Sequence, residues 1–163
     1  MAAHIVLFGY GNASRGDDAL GPLLLERAEA WLEGQPQLRV RTVADFQLQI
    51  EHALDLRGAD LALFVDADES CAAPCVLRRA LPSQDATYST HALSPEAVLF
   101  VCRDVTGGAP PPSYILGVRG ERFELGEPLT APAIANLEAA WTLLQALLLD
   151  GRGEAWDALA LKP

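Results

Sequence analysis

The chain has 163 residues, half of them hydrophobic and 21% charged, with a formal net charge of −10 at pH 7. That length and composition describe a single globular domain with a substantial core, not a disordered or fibrous chain. The acidic balance argues against nucleic acid or an anionic membrane as partner, because phosphate surfaces reward Lys/Arg clusters that this sequence lacks.

Ile5-Val6-Leu7-Phe8 is a short apolar run expected to form a buried first strand. It runs into Gly9-Tyr10-Gly11-Asn12-Ala13-Ser14-Arg15-Gly16-Asp17-Asp18-Ala19-Leu20-Gly21. A glycine-rich turn after a strand brings backbone close to a ligand, and the helix N-terminus behind it can hold charge. Loops that cradle phosphate avoid acid, because carboxylates and phosphates repel. Here Asp17 and Asp18 stand where a phosphate would lie, so the loop suits a cation or a cation-bearing partner. It also departs from the dinucleotide fingerprint, with Ser14 at the third glycine position, which argues against an NAD- or flavin-linked oxidoreductase.

An amphipathic helix follows, with Leu20, Leu23, Leu24, Ala28 and Trp31 on one side. Pro22 is tolerated only in a first turn, so this helix begins close to Asp17 or Asp18 and sets both carboxylates at its positive end. Arg39–Val43 reads as a second strand, and 46–56 as a helix with Asp45 as N-cap and Gly58 past its end. Leu61–Val65 is a continuous apolar run, as expected for a central parallel strand, and Asp66 ends it. Val76–Leu81 is a more polar strand placed nearer an edge.

Ser94-Pro95-Glu96 is a helix start signal that turns Val98–Val101, otherwise strand-like, into a helix with Cys102 in the core. Gly107 to Pro112 forms a rigid surface connection. Tyr114–Val118 is the next strand, with Arg122–Leu125 expected to extend the sheet. A long last helix starts near Thr130 and buries Ile134, Leu137, Trp141, Leu144 and Leu148. Its apolar tract Leu137–Leu149, interrupted by Glu138 and Gln145, reads as too short to span a bilayer.

The pattern predicts an α/β three-layer sandwich: a mostly parallel sheet of about five strands with helices on both faces. Residues 1–150 form the domain and 151–163 a C-terminal tail. Cys71, Cys75 and Cys102 form an odd set without a leading hydrophobic signal region, which points to a reducing cytoplasm. No second cysteine pair or nearby histidine joins Cys71 and Cys75 in a zinc set.

In open α/β sheets, sites form beyond the carboxyl ends of the strands. Asp17 and Asp18 lie past the first strand, Asp66 ends a central one, and His91 precedes the helix that Ser94 caps. Two carboxylates and an imidazole make a mixed oxygen/nitrogen set suited to a divalent transition metal, with coordination positions left for water or substrate. On the residues alone, one of Asp17 and Asp18 is a helix cap and His91 reads as a surface-loop histidine. Asp66 invites a functional reading, since burying an unpaired charge is costly. Asp68 and Glu69 are its nearest substitutes, and Asp45 is a cap that could line the site. His4 and His52 carry no functional assignment.

The sequence resembles the [NiFe]-hydrogenase maturation endopeptidases. The resemblance rests on Gly9-x-Gly11-Asn12 followed by Asp17-Asp18 and Gly21, on Val65-Asp66-Ala67, on Ser89-Thr90-His91-Ala92-Leu93-Ser94-Pro95-Glu96, and on Ile115-Leu116-Gly117-Val118-Arg119-Gly120. It covers roughly residues 4–149 and departs at Ala19, where the family usually has glycine. The two longer motifs look most similar to the branch serving soluble NAD(P)-linked hydrogenases. The resemblance implies a cytoplasmic endopeptidase that removes the C-terminal extension of a hydrogenase large-subunit precursor once nickel has been inserted. It makes Asp18, Asp66 and His91 the metal-contacting and catalytic set. The nickel is carried by the substrate or bound at the site, and hydrolysis uses water activated by Asp18 or Asp66, or polarisation by the metal. The alternative is a nickel-sensing chaperone that binds the precursor without cutting it.

Overall fold

A computed structural model of the chain describes residues 2–84 and 92–163. The apolar runs become β1 (His4–Tyr10), β3 (Leu61–Asp68) and β5 (Ser113–Arg119), with β2 (Arg39–Asp45) and β4 (Cys75–Ala80) beside them. They form one sheet in the order β2-β1-β3-β5-β4, parallel throughout except for β4, which runs antiparallel along β5. The three inner strands are buried along most of their length because layers cover both sheet faces. The edge strands are more polar, and Arg39, Arg41 and Arg78 on them are exposed, which discourages further strand pairing.

Alternation along β1 sorts its side chains between two cores. Ile5 and Leu7 join the cluster beneath α1 (Leu20–Leu32), α3 (Ala131–Asp150) and α4 (Gly153–Leu159). Val6 and Phe8 join the opposite cluster, beneath α2 (Pro95–Thr106) and a 3-10 helix, Ile50–Leu56. This is the three-layer α/β arrangement expected from the sequence. The Ser94 hydroxyl accepts from Ala97 N at 3.1 Å, so α2 starts at the cap and proline that the sequence marks.

Five expectations need correction. The helix expected over 46–56 is confined to Ile50–Leu56, and its N-cap is Gln49, not Asp45. Asp45 remains the last residue of β2 because it still pairs with Tyr10 of β1. Arg122–Leu125 adds no strand; the Arg122 carbonyl instead accepts from Asp17 N at 2.8 Å, turning the segment back toward the β1 loop. Ile134 is 52% exposed, because the phase of α3 turns Ala133, Asn136, Ala140 and Trp141 inward.

The segment 151–163 is not a loose tail. It forms α4 with Trp156 fully buried, the indole N–H donates to Leu147 O at 2.9 Å, and Leu161 bridges β4 at Arg78. Finally, α3 is longer than the apolar tract read from the sequence. It has 20 residues and a mean hydropathy of 1.3, enough by length and composition to cross a membrane, yet its inward stripe packs on the sheet.

Candidate active site

The glycine-rich loop sets the site geometry through close packing. A Cβ on Gly21 would collide with the carbonyl oxygens of Tyr10 and Val65, so glycine lets the start of α1 rest directly on the ends of β1 and β3. Gly11 has φ +147, and a Cβ there would run into the backbone oxygen of Asp18. Asn12 completes the turn: its N–H donates to Asp18 Oδ2 at 2.6 Å, and its Oδ1 accepts from Ser14 N at 2.9 Å. A 3-10 turn over Gly16–Ala19 then carries both aspartates into α1, close to the start expected from Pro22.

The two consecutive aspartates have different environments. Asp17 is fully buried. It accepts from Glu121 N at 2.7 Å, Arg122 N at 3.1 Å, Thr130 N at 2.8 Å and Thr130 Oγ1 at 2.7 Å. Burial pushes its carboxyl up, but donation from Glu121, Thr130 and Arg122 outweighs that and holds it below the ordinary value. Thr130 in turn caps α3, accepting from Ala133 N at 3.3 Å. Asp17 therefore fastens the β1 loop to the α3 start, with both of its oxygens engaged by donors.

Asp18 is half-buried, and its charge acts on Asp66, which does not end its strand as the sequence suggested: pairing with β5 carries β3 two residues further, to Asp68. Burial, and next the charge of Asp18, push the Asp66 carboxyl up to about 7, with the neighbouring Tyr10 hydroxyl acting in the opposite direction. Tyr10 is raised well above its ordinary value, first by burial and then by the charges of Asp66 and Glu96. Arg78 lies close enough to offset part of this, and its Nη1 pairs with Glu96 Oε2 at 3.2 Å. The C-terminal edge of the sheet thus gathers two carboxylates, one of them held near its protonation point at neutral pH.

The other candidates take structural roles. Asp68 Oδ1 accepts from Ser70 N at 2.8 Å, Ser70 Oγ at 2.9 Å and Cys71 N at 3.2 Å, so it shapes the turn after β3. Burial pushes its carboxyl up, but those hydrogen bonds and the charge of Arg78 bring it below the ordinary value. Glu69 is exposed. Asp45 accepts from Phe46 N at 2.7 Å and meets His52 Nε2 at 3.2 Å. His52 Nδ1 accepts from Gln49 N at 2.8 Å, which leaves the proton on Nε2 directed at Asp45. His4 is exposed on β1 against Arg39.

His91 lies outside the described residues. Among the described residues no three His, Cys, Asp or Glu side chains converge to hold a metal ion. The structure therefore brings together Asp18 and Asp66 of the expected set. It adds Tyr10, which sequence reasoning quoted in the motif without assigning. The available signal was register: if β1 and β3 are parallel neighbours, the residue after Gly9 lies beside the residue after Val65.

No protein-family model matches the chain, and no curated protein sequence matches it. Solved structures do. A [NiFe] hydrogenase maturation protease HycI from Thermococcus kodakarensis KOD1 superposes with TM-score 0.69 at 24% identity, covering 91% of this chain and 94% of that one. The hydrogenase maturating endopeptidase HybD from E. coli gives TM-score 0.66 at 26% identity, with the same 91% and 94% coverage. An endopeptidase from Escherichia coli gives 0.65 at 25% identity, again covering 91% of this chain and 94% of that one.

The chain has the fold of the hydrogenase maturation proteases. Its likeness to these endopeptidases over nine-tenths of both chains supports a peptide hydrolase. The carboxylate pair occupies the place where a sheet of this class presents its chemistry, beyond the carboxyl ends of the parallel strands.

Proposed function

We propose that this protein is an endopeptidase that removes the C-terminal extension of a [NiFe]-hydrogenase large-subunit precursor after nickel insertion, with the nickel as recognition signal. The observation that carries this reading is the half-buried Asp66 beside Asp18: burial, and next the charge of Asp18, push the Asp66 carboxyl up to about 7. Two like charges in a partly dry site are mutually unfavourable, and a divalent cation between them removes the penalty. A nickel-loaded precursor brings that cation as part of the substrate; an unloaded one does not. We assign His91 as the third ligand on its motif, giving the mixed oxygen/nitrogen set that suits nickel.

For hydrolysis, Asp18 or Asp66 takes up the proton of an attacking water, or the metal polarises the carbonyl, whereas the Asp17 carboxylate is held by donors from the 121–130 segment. Cys71, Cys75 and Cys102 are free thiols, in keeping with the reducing cytoplasm where such a precursor matures. The motifs around Asp18 and His91 support a substrate among the soluble NAD(P)-linked hydrogenases.

The test is mass spectrometry of nickel-loaded and nickel-free large-subunit precursor, each incubated with the protein. Loss of a C-terminal peptide from the loaded form alone is the expected result. Stable binding of loaded precursor without cleavage would replace the endopeptidase with a nickel-sensing chaperone, and equal cleavage of both forms would remove nickel as the signal.

A further inference from the structure

Beside the turn that carries Asp18 lies a cleft of about 350 Å³. Its walls are Gly11 and Ala13 of the β1 turn, Pro22 of α1, and Ala44, Asp45 and Phe46 at the end of β2. Strand register supplies the floor: Gly9 of β1 pairs with Ala44 of β2, so two small residues lie side by side there. The frame around it is fixed. Gly11 N donates to Asp45 O at 3.2 Å, which ties the β1 turn to the end of β2. Asp45 Oδ1 accepts from Phe46 N at 2.7 Å, and its Oδ2 meets His52 Nε2 at 3.2 Å. Leu48, just beyond, is buried in the core. The Phe46 side chain on this frame is 73% exposed.

The lining decides what the cleft accepts. Among the described residues Asp45 is its one charged side chain, and both of its oxygens are already engaged by Phe46 N and His52. The cleft therefore offers little to a cation. The rest of the lining is small or apolar, so burying an apolar side chain against Phe46 and Pro22 is the favourable event.

The position decides whose side chain it is. A Cβ on Gly11 would lie 3.3 Å from Asp18 Oδ1 and 3.3 Å from Pro22 Cδ. Asn12 N, next along, donates to Asp18 Oδ2 at 2.6 Å. One backbone turn thus holds the Asp18 carboxylate and lines the cleft. A polypeptide whose bond is presented to Asp18 has the cleft within reach of a neighbouring side chain.

We propose that this cleft is a specificity subsite of the peptide hydrolase, taking one apolar side chain of the substrate polypeptide close to the bond that is cut. The assignment rests on the function proposed above. Ala44 and Phe46 set the size of the subsite and act on substrate binding, not on the bond-breaking step.

The test is steady-state cleavage of nickel-loaded large-subunit precursor by the full chain, comparing wild type with Ala44→Leu, Phe46→Ser and Phe46→Leu. Both positions are exposed, so all four proteins should melt alike. Filling the cleft with Ala44→Leu, or removing its wall with Phe46→Ser, should raise KM about tenfold with kcat little changed. Phe46→Leu keeps an apolar wall and should stay near wild type. Replacing the apolar residues that flank the cut bond by aspartate, one at a time, should find the occupant. That change costs wild type about tenfold in kcat/KM and costs Ala44→Leu nothing further. Equal losses in both backgrounds would overturn the subsite. Unchanged KM in Ala44→Leu and Phe46→Ser would also overturn it, while cleavage by wild type left the endopeptidase reading standing. If wild type leaves the precursor whole, that reading fails, and calorimetric titration with the same precursor decides the cleft. Binding about tenfold weaker in Ala44→Leu would uphold it as the precursor contact. Equal or undetectable binding would overturn it.

Discussion

Asp17 and Asp66 are aspartates at the same end of the same sheet, yet they have opposite environments. Asp17 is fully buried and accepts four hydrogen bonds from the 121–130 segment, which bring its carboxyl below the ordinary value against the pull of burial. Asp66 is half-buried, and burial, then the charge of Asp18, push it up to about 7. Burial alone does not distinguish a structural acid from a functional one. Satisfaction does: where donors are supplied the carboxylate ties loops together, and where a like charge is supplied it waits for a cation or a proton.

The sharpest way to break this comparison is to remove each acid in turn. Asp18→Ala should lower cleavage of nickel-loaded precursor by at least about a thousandfold, equivalent to about 4 kcal/mol of transition-state stabilisation, with the melting temperature little changed. Asp17→Asn should do the reverse, costing about 3–5 kcal/mol in denaturant unfolding, because it strips the charge from a buried cluster of donors. Any activity that remains should be limited by the folded fraction.

Trp156→Ala should cost a comparable amount, about 3–5 kcal/mol, since the indole is fully buried under α3. A loss below about 1 kcal/mol in the same denaturation assay would return 151–163 to the status of a tail.

The pH dependence separates the two acids further. With its folded value depressed, Asp17 contributes stability that is present above the ordinary carboxylate range and lost as pH falls through that depressed value. The gap between wild type and Asp17→Asn should therefore close in acid. With its folded value raised, Asp66 favours folding through its protonated form, and that contribution falls away as pH climbs from the ordinary range through about 7. Metal-free Asp66→Asn should accordingly be more stable than wild type at pH 8, by about 0.5–2 kcal/mol, the smallest effect predicted here and of the kind met when a functional site is relaxed. Denaturant midpoints at pH 5 and pH 8 check both signs.

Much of this was legible in the sequence. Continuous apolar runs marked β1, β3 and β5 because buried parallel strands lack a polar face, and Ser94-Pro95 marked the α2 start because capping is local chemistry. The glycine motif marked the turn between β1 and α1, and Gly21 lets that turn rest on the backbone of Tyr10 and Val65. What stayed hidden depended on partners distant in the chain. Which of Asp17 and Asp18 is the anchor is decided by Glu121, Arg122 and Thr130, more than a hundred residues away. Tyr10 became significant only through the register of β1 on β3. The segment 151–163 looked like a tail because one tryptophan in a short polar stretch has no periodicity to report, although Trp156 finds its place against Tyr114 and α3.

The most direct test of the contrast is mass spectrometry of nickel-loaded large-subunit precursor incubated with Asp18→Asn, a variant that keeps Asp17 and its anchor. The account predicts that this protein is folded and the precursor stays intact, while wild type releases the C-terminal peptide. Full cleavage by Asp18→Asn would contradict it, since the crowded carboxylate pair would then be dispensable for the reaction assigned to it.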